Sequence, residues 1–227
     1  MRLLVSVRSV DEALLAATAG ADFIDLKEPS AGALGALPPA TARAVVAALC
    51  GLPRRPLISA TVGDFDPAAV APVLERVAPT AACGVDYVKV GIAPGAHELL
   101  AALACSAAVV VPVLIADAGV DEATLAQALQ GPFPALMLDT QDKRGGSLLA
   151  RLDDATLRGF VARCRAAGKL AGLAGALRED DLPRLRVLAP DFAGFRSAVC
   201  SGPRTAALDP ARVRALREQL VAAEAAA

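Results

Sequence analysis

Short apolar, often β-branched runs alternate with Ala/Leu-rich helical stretches along the whole chain. The runs Leu3–Val7, Phe23–Lys27, Leu57–Val62, Tyr87–Ile92, Val110–Ala116, Ala135–Thr140, Leu170–Ala174 and Phe192–Ser197 have the length and composition of buried strands. Each precedes a segment of helical period: Val10–Thr18, Pro39–Leu49, Pro67–Ala82, His97–Cys105, Glu122–Gln130, Ala155–Ala167, Asp180–Leu188 and Pro210–Ala225. Ser9-x-x-Glu12 reads as a capping box, Gly20, Gly51 and Gly84 as helix stops, and Asp154 and Asp209 as N-caps. Eight strand–helix units in 227 residues are the arithmetic of a (β/α)8 TIM barrel, an α/β fold. The rival is an open doubly wound sheet, which usually carries a glycine-rich loop after its first strand; here that place reads Val7-Arg8-Ser9. No linker or shift of composition divides the chain, so residues 1–227 are expected to form a single (β/α)8 barrel domain. A short internal echo fits repeated construction: Gly20-Ala21-Asp22-Phe23-Ile24 resembles Gly84-Val85-Asp86-Tyr87-Val88, and Asp191-Phe192-Ala193 gives a shorter third copy.

Alternate residues of a barrel strand point to the interior and the rest toward the helices. Ile24 and Leu26 suit the helix side, which turns Phe23, Asp25 and Lys27 inward. By the same alternation Tyr87, Lys89 and Gly91 face inward, as do Met137 and Asp139, Ser6 and Arg8, and Ser59, Thr61 and Gly63. Small or apolar residues occupy the strand starts, while Arg8, Asp25, Lys27, Asp64, Lys89, Asp117, Asp139 and Arg196 gather toward the C-terminal ends. Active sites of such barrels lie at that end, and unpaired charge inside a barrel is costly.

Asp25 and Lys27 are two residues apart and therefore side by side. One reading is a structural ion pair closing the barrel. The other is chemical: a lysine in a partly desolvated pocket beside other cations is a Schiff-base nucleophile, with Lys89 the neighbouring cation and Asp25 or Asp139 the proton shuttle. Composition adds weight to the second. Only four of the 23 basic residues are lysines, Lys27, Lys89, Lys143 and Lys169, and the rest are arginines, which cannot act as nucleophiles. Lys169 precedes the seventh strand, at the opposite end, and reads as structural. Lys143 leaves the sixth strand beside Gly145-Gly146, a sequence suited either to a mobile loop or to a solvated one. The long segment Glu28–Gly35 follows the second strand, with glycines that allow close backbone approach. Phosphate sites favour the loops after strands seven and eight, which makes Gly175, Gly194, Arg196 and Ser197 candidates, with Arg8 adding charge.

The same residues exclude other classes. A net charge of −1 and 3% aromatic content argue against nucleic acid. Five widely spaced cysteines without a C-x-x-C fit a reducing, cytoplasmic setting rather than disulfides or zinc. Leu99–Ala116 is uncharged, but its change from Ala-rich to Val-rich residues and Pro112 inside it read as helix end, loop and strand, not a membrane span. His97, the only histidine, falls on a helix away from the strand ends, so no Ser–His or Cys–His dyad and no metal cluster is expected. The high alanine content leaves apolar helix faces that make a homo-oligomer the expectation.

Leu4-Val5-Ser6-Val7-Arg8-Ser9, followed by Gly20-Ala21-Asp22-x-Ile24-Asp25-Leu26-Lys27-Glu28-Pro29-Ser30-x-Gly32-x-Leu34-Gly35, resembles the (5-formylfuran-3-yl)methyl phosphate synthase family. Tyr87-Val88-Lys89-Val90-Gly91, Leu138-Asp139-Thr140-x-x-Lys143 and Gly194-Phe195-Arg196-x-Ala198-Val199-Cys200 extend the resemblance over nearly the whole chain. It implies a barrel enzyme without cofactor that joins two glyceraldehyde 3-phosphate molecules into a furan aldehyde phosphate, with loss of phosphate and water, for methanofuran-type cofactors. It also implies Lys27 as the Schiff-base lysine, with Asp25, Lys89, Asp139 and Lys143 completing the charged set. Ser197 departs from the pattern, standing where a glycine is expected after Gly-Phe-Arg. Another Schiff-base aldolase, a sugar-phosphate isomerase, or a non-catalytic phosphate-ligand sensor would share these features.

Overall fold

The alternation closes into a ring. In a computed structural model, which describes residues 1–66, 69–117, 119–143 and 145–222, the strands are β1 (Arg2–Val7), β2 (Phe23–Leu26), β3 (Leu57–Thr61), β4 (Tyr87–Ile92), β5 (Val110–Ile115), β6 (Ala135–Asp139), β7 (Leu170–Leu173) and β8 (Phe192–Phe195). All neighbours are parallel in chain order, and β8 returns to β1 with Arg2 opposite Phe192 and Val5 opposite Phe195. This closure excludes the open doubly wound sheet. The helices are α1 (Val10–Thr18), α2 (Pro39–Cys50), α3 (Val70–Ala81), α4 (His97–Ala104), α5 (Glu122–Gln130), α6 (Leu148–Arg151), α7 (Asp154–Ala166), α8 (Leu182–Leu188) and α9 (Pro210–Ala222). Residues 67–68 and 223–225, expected at helix ends, lie outside the described residues. Leu99–Ala116 divides into the end of α4 and β5, and among the described residues no helix is long and apolar enough to cross a membrane.

Two packing layers follow from the period-2 pattern. Leu3, Val5, Val7, Ile24 and Leu26 face outward and bury with Ala13, Ala16 and other helix residues. Leu4, Phe23, Val111, Val113, Ala135, Met137 and Phe192 fill the interior. Its lower half is packed tightly: a Cβ on Gly172 would stand 2.2 Å from the Phe192 ring, so only glycine fits opposite that phenyl group. Phe23 tilts against Phe192 at 5.3 Å, and the Arg2 guanidinium lies 4.9 Å over Phe23.

The repeated aspartates have a common physical cause. The Asp22 carboxylate accepts a 2.7 Å bond from Leu3 N, Asp86 one of 2.7 Å from Ile58 N, and Asp191 one of 2.8 Å from Ala171 N. Each aspartate opens an even strand and satisfies a backbone donor near the start of the odd strand before it. Lys169 works at the same end, donating to the carbonyls of Gly131 and Phe133 at 2.6 and 2.8 Å.

Several local expectations are adjusted. Asp153, rather than Asp154, caps α7, accepting from Thr156 N at 2.7 Å. Asp209 caps α9 through Ala211 N at 2.8 Å. Ser9 caps α1 as expected, but Glu12 does not return to Ser9; it accepts from Arg8 N at 3.0 Å and turns its carboxylate to a distant partner described below. The short α6 and the 3-10 turn at Pro29–Ala31 escaped the periodicity because each is a single turn; the helix expected over Asp180–Leu188 opens as a 3-10 turn at Glu179–Asp181 before α8, and the strand expected to Ser197 ends at Phe195, with a 3-10 turn over Ser197–Val199.

Candidate active site

The inward positions at the C-terminal ends of the strands form one cavity. Ser6, Asp25, Lys27, Lys89, Met137, Asp139, Lys143, Gly175, Gly194, Arg196, Ser197 and Arg204 line it. Asp25, Lys27, Lys89 and Asp139 are buried. The alternation of β2 brings Asp25 and Lys27 inward together, but they do not pair with each other. Each takes a partner from across the mouth.

Asp25 is held on three sides. Lys89 Nζ lies 3.0 Å from Oδ1, Ser59 Oγ donates to Oδ1 at 2.7 Å, and Ser6 Oγ donates to Oδ2 at 3.1 Å. β1, β3 and β4 therefore fix one carboxylate of β2. Burial pushes the Lys89 ammonium below its ordinary range, against the pull of Asp25 and with the repulsion of Lys27.

Asp139 receives two amines. Lys27 Nζ lies 3.3 Å from Oδ2, Lys143 Nζ donates to Oδ1, and Thr140 N bonds Oδ1 at 2.8 Å. Burial alone would raise Asp139, but Lys143 and Lys27 outweigh it and hold the carboxyl well below the usual carboxylate range. Burial lowers Lys143, opposed by Asp139 and reinforced by Lys27. Among the described residues, no group of three or more His, Cys, Asp or Glu side chains is arranged to hold a metal ion.

The loops around the mouth are braced. Glu28 N bonds Gly35 O at 2.8 Å, closing the loop after β2 on itself. Asp64 accepts from Leu34 N at 3.1 Å, and Leu34 is buried with the interior cluster. Asp64 thus serves loop architecture. So does Asp117, whose carboxylate accepts from Gln141 N at 2.5 Å and Asp142 N at 2.9 Å and pairs with Arg151 at 3.4 Å. The loop carrying Lys143 is therefore tied down at Gln141 and Asp142, ahead of Arg144, which is not among the described residues.

The two arginines expected at a phosphate are committed elsewhere. Arg8 is not among the lining residues; it sits 3.7 Å from Glu12 with its side chain about one-third exposed. Arg196 lines the cavity but has no donor left. Its Nε bonds Arg204 O at 2.8 Å, Nη1 bonds Ser6 O at 3.0 Å and Glu12 Oε2 at 2.5 Å, and Nη2 bonds Glu12 Oε1 at 3.1 Å and Ala206 O at 2.8 Å. A guanidinium has five N–H donors, so Arg196 is a clamp within the protein. Gly175, Gly194 and Ser197 do line the cavity. Gly175 adopts φ +108, and a Cβ there would also crowd Thr140 at 2.9 Å, so a side chain is strained twice over.

Two residues were missed. Glu12 fitted a local capping pattern, which hid its partner 184 positions away. Arg204 lies beyond Cys200, where the phosphate candidates after strand eight stop; the preference of phosphate for the loop after that strand was the one available pointer.

The profile of the 4-HFC-P synthase family matches residues 3–217. A Methylorubrum extorquens protein, provisionally named (5-formylfuran-3-yl)methyl phosphate synthase, is 44% identical, covering 93% of this chain and 88% of that one. The (5-formylfuran-3-yl)methyl phosphate synthase of Methanopyrus kandleri is 37% identical over 88% of this chain and 89% of its own. That of Methanosarcina mazei is 32% identical over 92% and 94%. Among solved structures, phosphoribosyl anthranilate isomerase from Thermus thermophilus superposes with a TM-score of 0.66 at 20% identity, covering 98% of this chain and 99% of that one, a likeness of fold. Matched along almost its full length and closed into the eight-stranded barrel, the chain belongs to the 4-HFC-P synthase family of enzymes.

Proposed function

We propose that this enzyme condenses two molecules of glyceraldehyde 3-phosphate into (5-formylfuran-3-yl)methyl phosphate, with loss of phosphate and water, through a Schiff base on Lys27, in the biosynthesis of methanofuran-type cofactors in the cytoplasm. The observation that carries this reading is the sharing of Asp139 by Lys27 and Lys143 inside a buried mouth.

The chemistry follows from that arrangement. An amine attacks a triose aldehyde only as the free base, so a proton must leave Lys27; Asp139, too weak a base to keep it, is placed to relay it from Oδ2, at 3.3 Å, to the Lys143 amine on Oδ1. Attack forms the C–N bond, and loss of the carbinol oxygen as water gives the imine. That oxygen needs a proton, and Lys143, whose ammonium is already pushed down by burial, is placed to donate one through or beside Asp139. The imine draws electrons from the neighbouring carbon. Removal of a proton there gives the enamine that attacks the second aldehyde. Asp25, fixed by Lys89, Ser59 and Ser6, is the second base for that proton and for the eliminations that follow, in which the electrons of a broken C–H bond expel one phosphate as the dianion and then water.

Two experiments test the reading. Incubation with glyceraldehyde 3-phosphate alone should produce the furan chromophore; isomerisation or reversible aldol addition without it would favour an isomerase or another Schiff-base aldolase. Borohydride trapping followed by mass spectrometry should place the adduct on Lys27. An adduct on Lys143, or none, would overturn the assignment.

A further inference from the structure

The hairpin that follows β8 carries a cation into the mouth. Cys200 and Leu208 form an antiparallel bridge, Ser201 N bonds Ala207 O at 3.0 Å, and Ala206 N bonds Pro203 O at 2.7 Å to close the tip. Arg204 sits at that tip. Its main-chain carbonyl is held by Arg196 Nε at 2.8 Å, and Arg196 is anchored in turn by Glu12. A chain of contacts from α1 through β8 thus fixes where Arg204 leaves the backbone.

The Arg204 side chain is half-buried and lines the catalytic cavity beside Gly175, Ala176, Gly194 and Ser197. Its one described hydrogen bond goes from Nη2 to Gly32 O at 3.2 Å, across the mouth on the loop after β2. Among the described residues no carboxylate lies within ion-pair distance of it, Asp139 and Asp64 acting on it only from farther away, whereas Lys27, Lys89, Lys143 and Arg196 each have a partner. The lining holds five cations against the carboxylates of Asp25 and Asp139, and Glu12 neutralises Arg196. The formal excess of two positive charges matches a phosphate monoester, which carries about −1.5 to −2 near neutrality.

We propose that Arg204 is the phosphate-recognition residue of this site, its guanidinium receiving the phosphate oxygens of the substrate against the backbone of the loops after β7 and β8. The assignment of the ligand as a triose phosphate rests on the proposed function; the anion site itself does not. Arg204 offers planar, directional donors suited to a phosphate. Its bond to Gly32 makes it a bridge between the bound anion and the loop after β2.

Titration of the purified enzyme with inorganic phosphate, followed by 31P NMR, tests the anion site directly. Wild type should bind phosphate, Arg204→Gln should weaken binding about ten- to a hundredfold, and Arg204→Lys should fall between them. KM for glyceraldehyde 3-phosphate should rise in Arg204→Gln by a similar factor, with a smaller change in kcat. Borohydride trapping of unphosphorylated glyceraldehyde should still label Lys27 in Arg204→Gln, which separates loss of phosphate recognition from loss of the barrel. Equal phosphate affinity in wild type and Arg204→Gln, or no phosphate binding by wild type, would overturn the proposal. If phosphate binding depends on Arg204 but no furan forms, the anion site stands and the proposed reaction falls.

Discussion

Lys27 and Lys143 meet at opposite oxygens of one carboxylate: Lys27 Nζ lies 3.3 Å from Asp139 Oδ2, and Lys143 Nζ donates to Asp139 Oδ1. The two amines are thereby distinguished by what surrounds them rather than by their partner. Lys27 directly follows β2 and continues its interior face, whereas Lys143 comes from the loop after β6. Lys143→Arg keeps the positive charge but removes a group able to release its proton. Turnover should fall about 10²- to 10⁴-fold, and the borohydride adduct should form more slowly by a similar factor but still on Lys27 in the mass spectrum. Lys27→Arg should abolish the adduct altogether.

Lys89 and Asp25 form the most deeply buried ion pair of the mouth, with side chains 3% and 1% exposed. Removing one member leaves the other charged and short of a partner. Lys89→Met should destabilise the fold by about 3–5 kcal/mol in urea unfolding, and Lys89→Met combined with Asp25→Asn by less than Lys89→Met alone.

The titrating groups give stability a defined pH dependence. Asp139 has a folded pKa below its unfolded one, so its stabilising contribution is present above the ordinary carboxylate range and is lost as pH falls toward the lowered value. Lys143 is also lowered from 10.5, and the slope has the same sign: between the depressed value and 10.5 the unfolded chain binds more protons, so stability rises with pH there, as the neutral-pH cost of burying the ammonium disappears. Urea midpoints measured from neutral pH to pH 10 should rise less in Lys143→Met than in wild type.

The floor of the barrel should separate stability from catalysis. Gly172→Ala presses a methyl group into the Phe192 ring and should cost about 1–3 kcal/mol. Lys169→Arg, at the floor and bonded only to carbonyls, should leave kcat/KM within about twofold of wild type in the furan assay.

The barrel was legible because its two periods are strong. Ile24 and Leu26 had to face helices, and that single requirement turned Asp25 and Lys27 into the mouth. Asp22, Asp86 and Asp191 were visible as an echo, but their reason, a bond to the preceding strand, needs the register of the sheet. Partners across the chain were not legible. Asp25 and Lys27 read as a pair because they are neighbours, yet each bonds a residue from a later strand. Arg196 read as a free cation because Glu12 already satisfied a local pattern.

The ion pairs of the mouth also divide the ring. Asp25 and Lys89 belong to the half-barrel from β1 to β4, while Asp139 and Lys143 belong to the half from β5 to β8. Each half supplies one carboxylate with its own amine, and Lys27 alone reaches from the first half to the acid of the second. The mouth therefore has a quasi-twofold distribution of acid and base, broken by one lysine. A proposed reaction that joins two like molecules needs both properties: equivalent surroundings that accept either copy, and one asymmetric amine that decides which copy becomes the nucleophile.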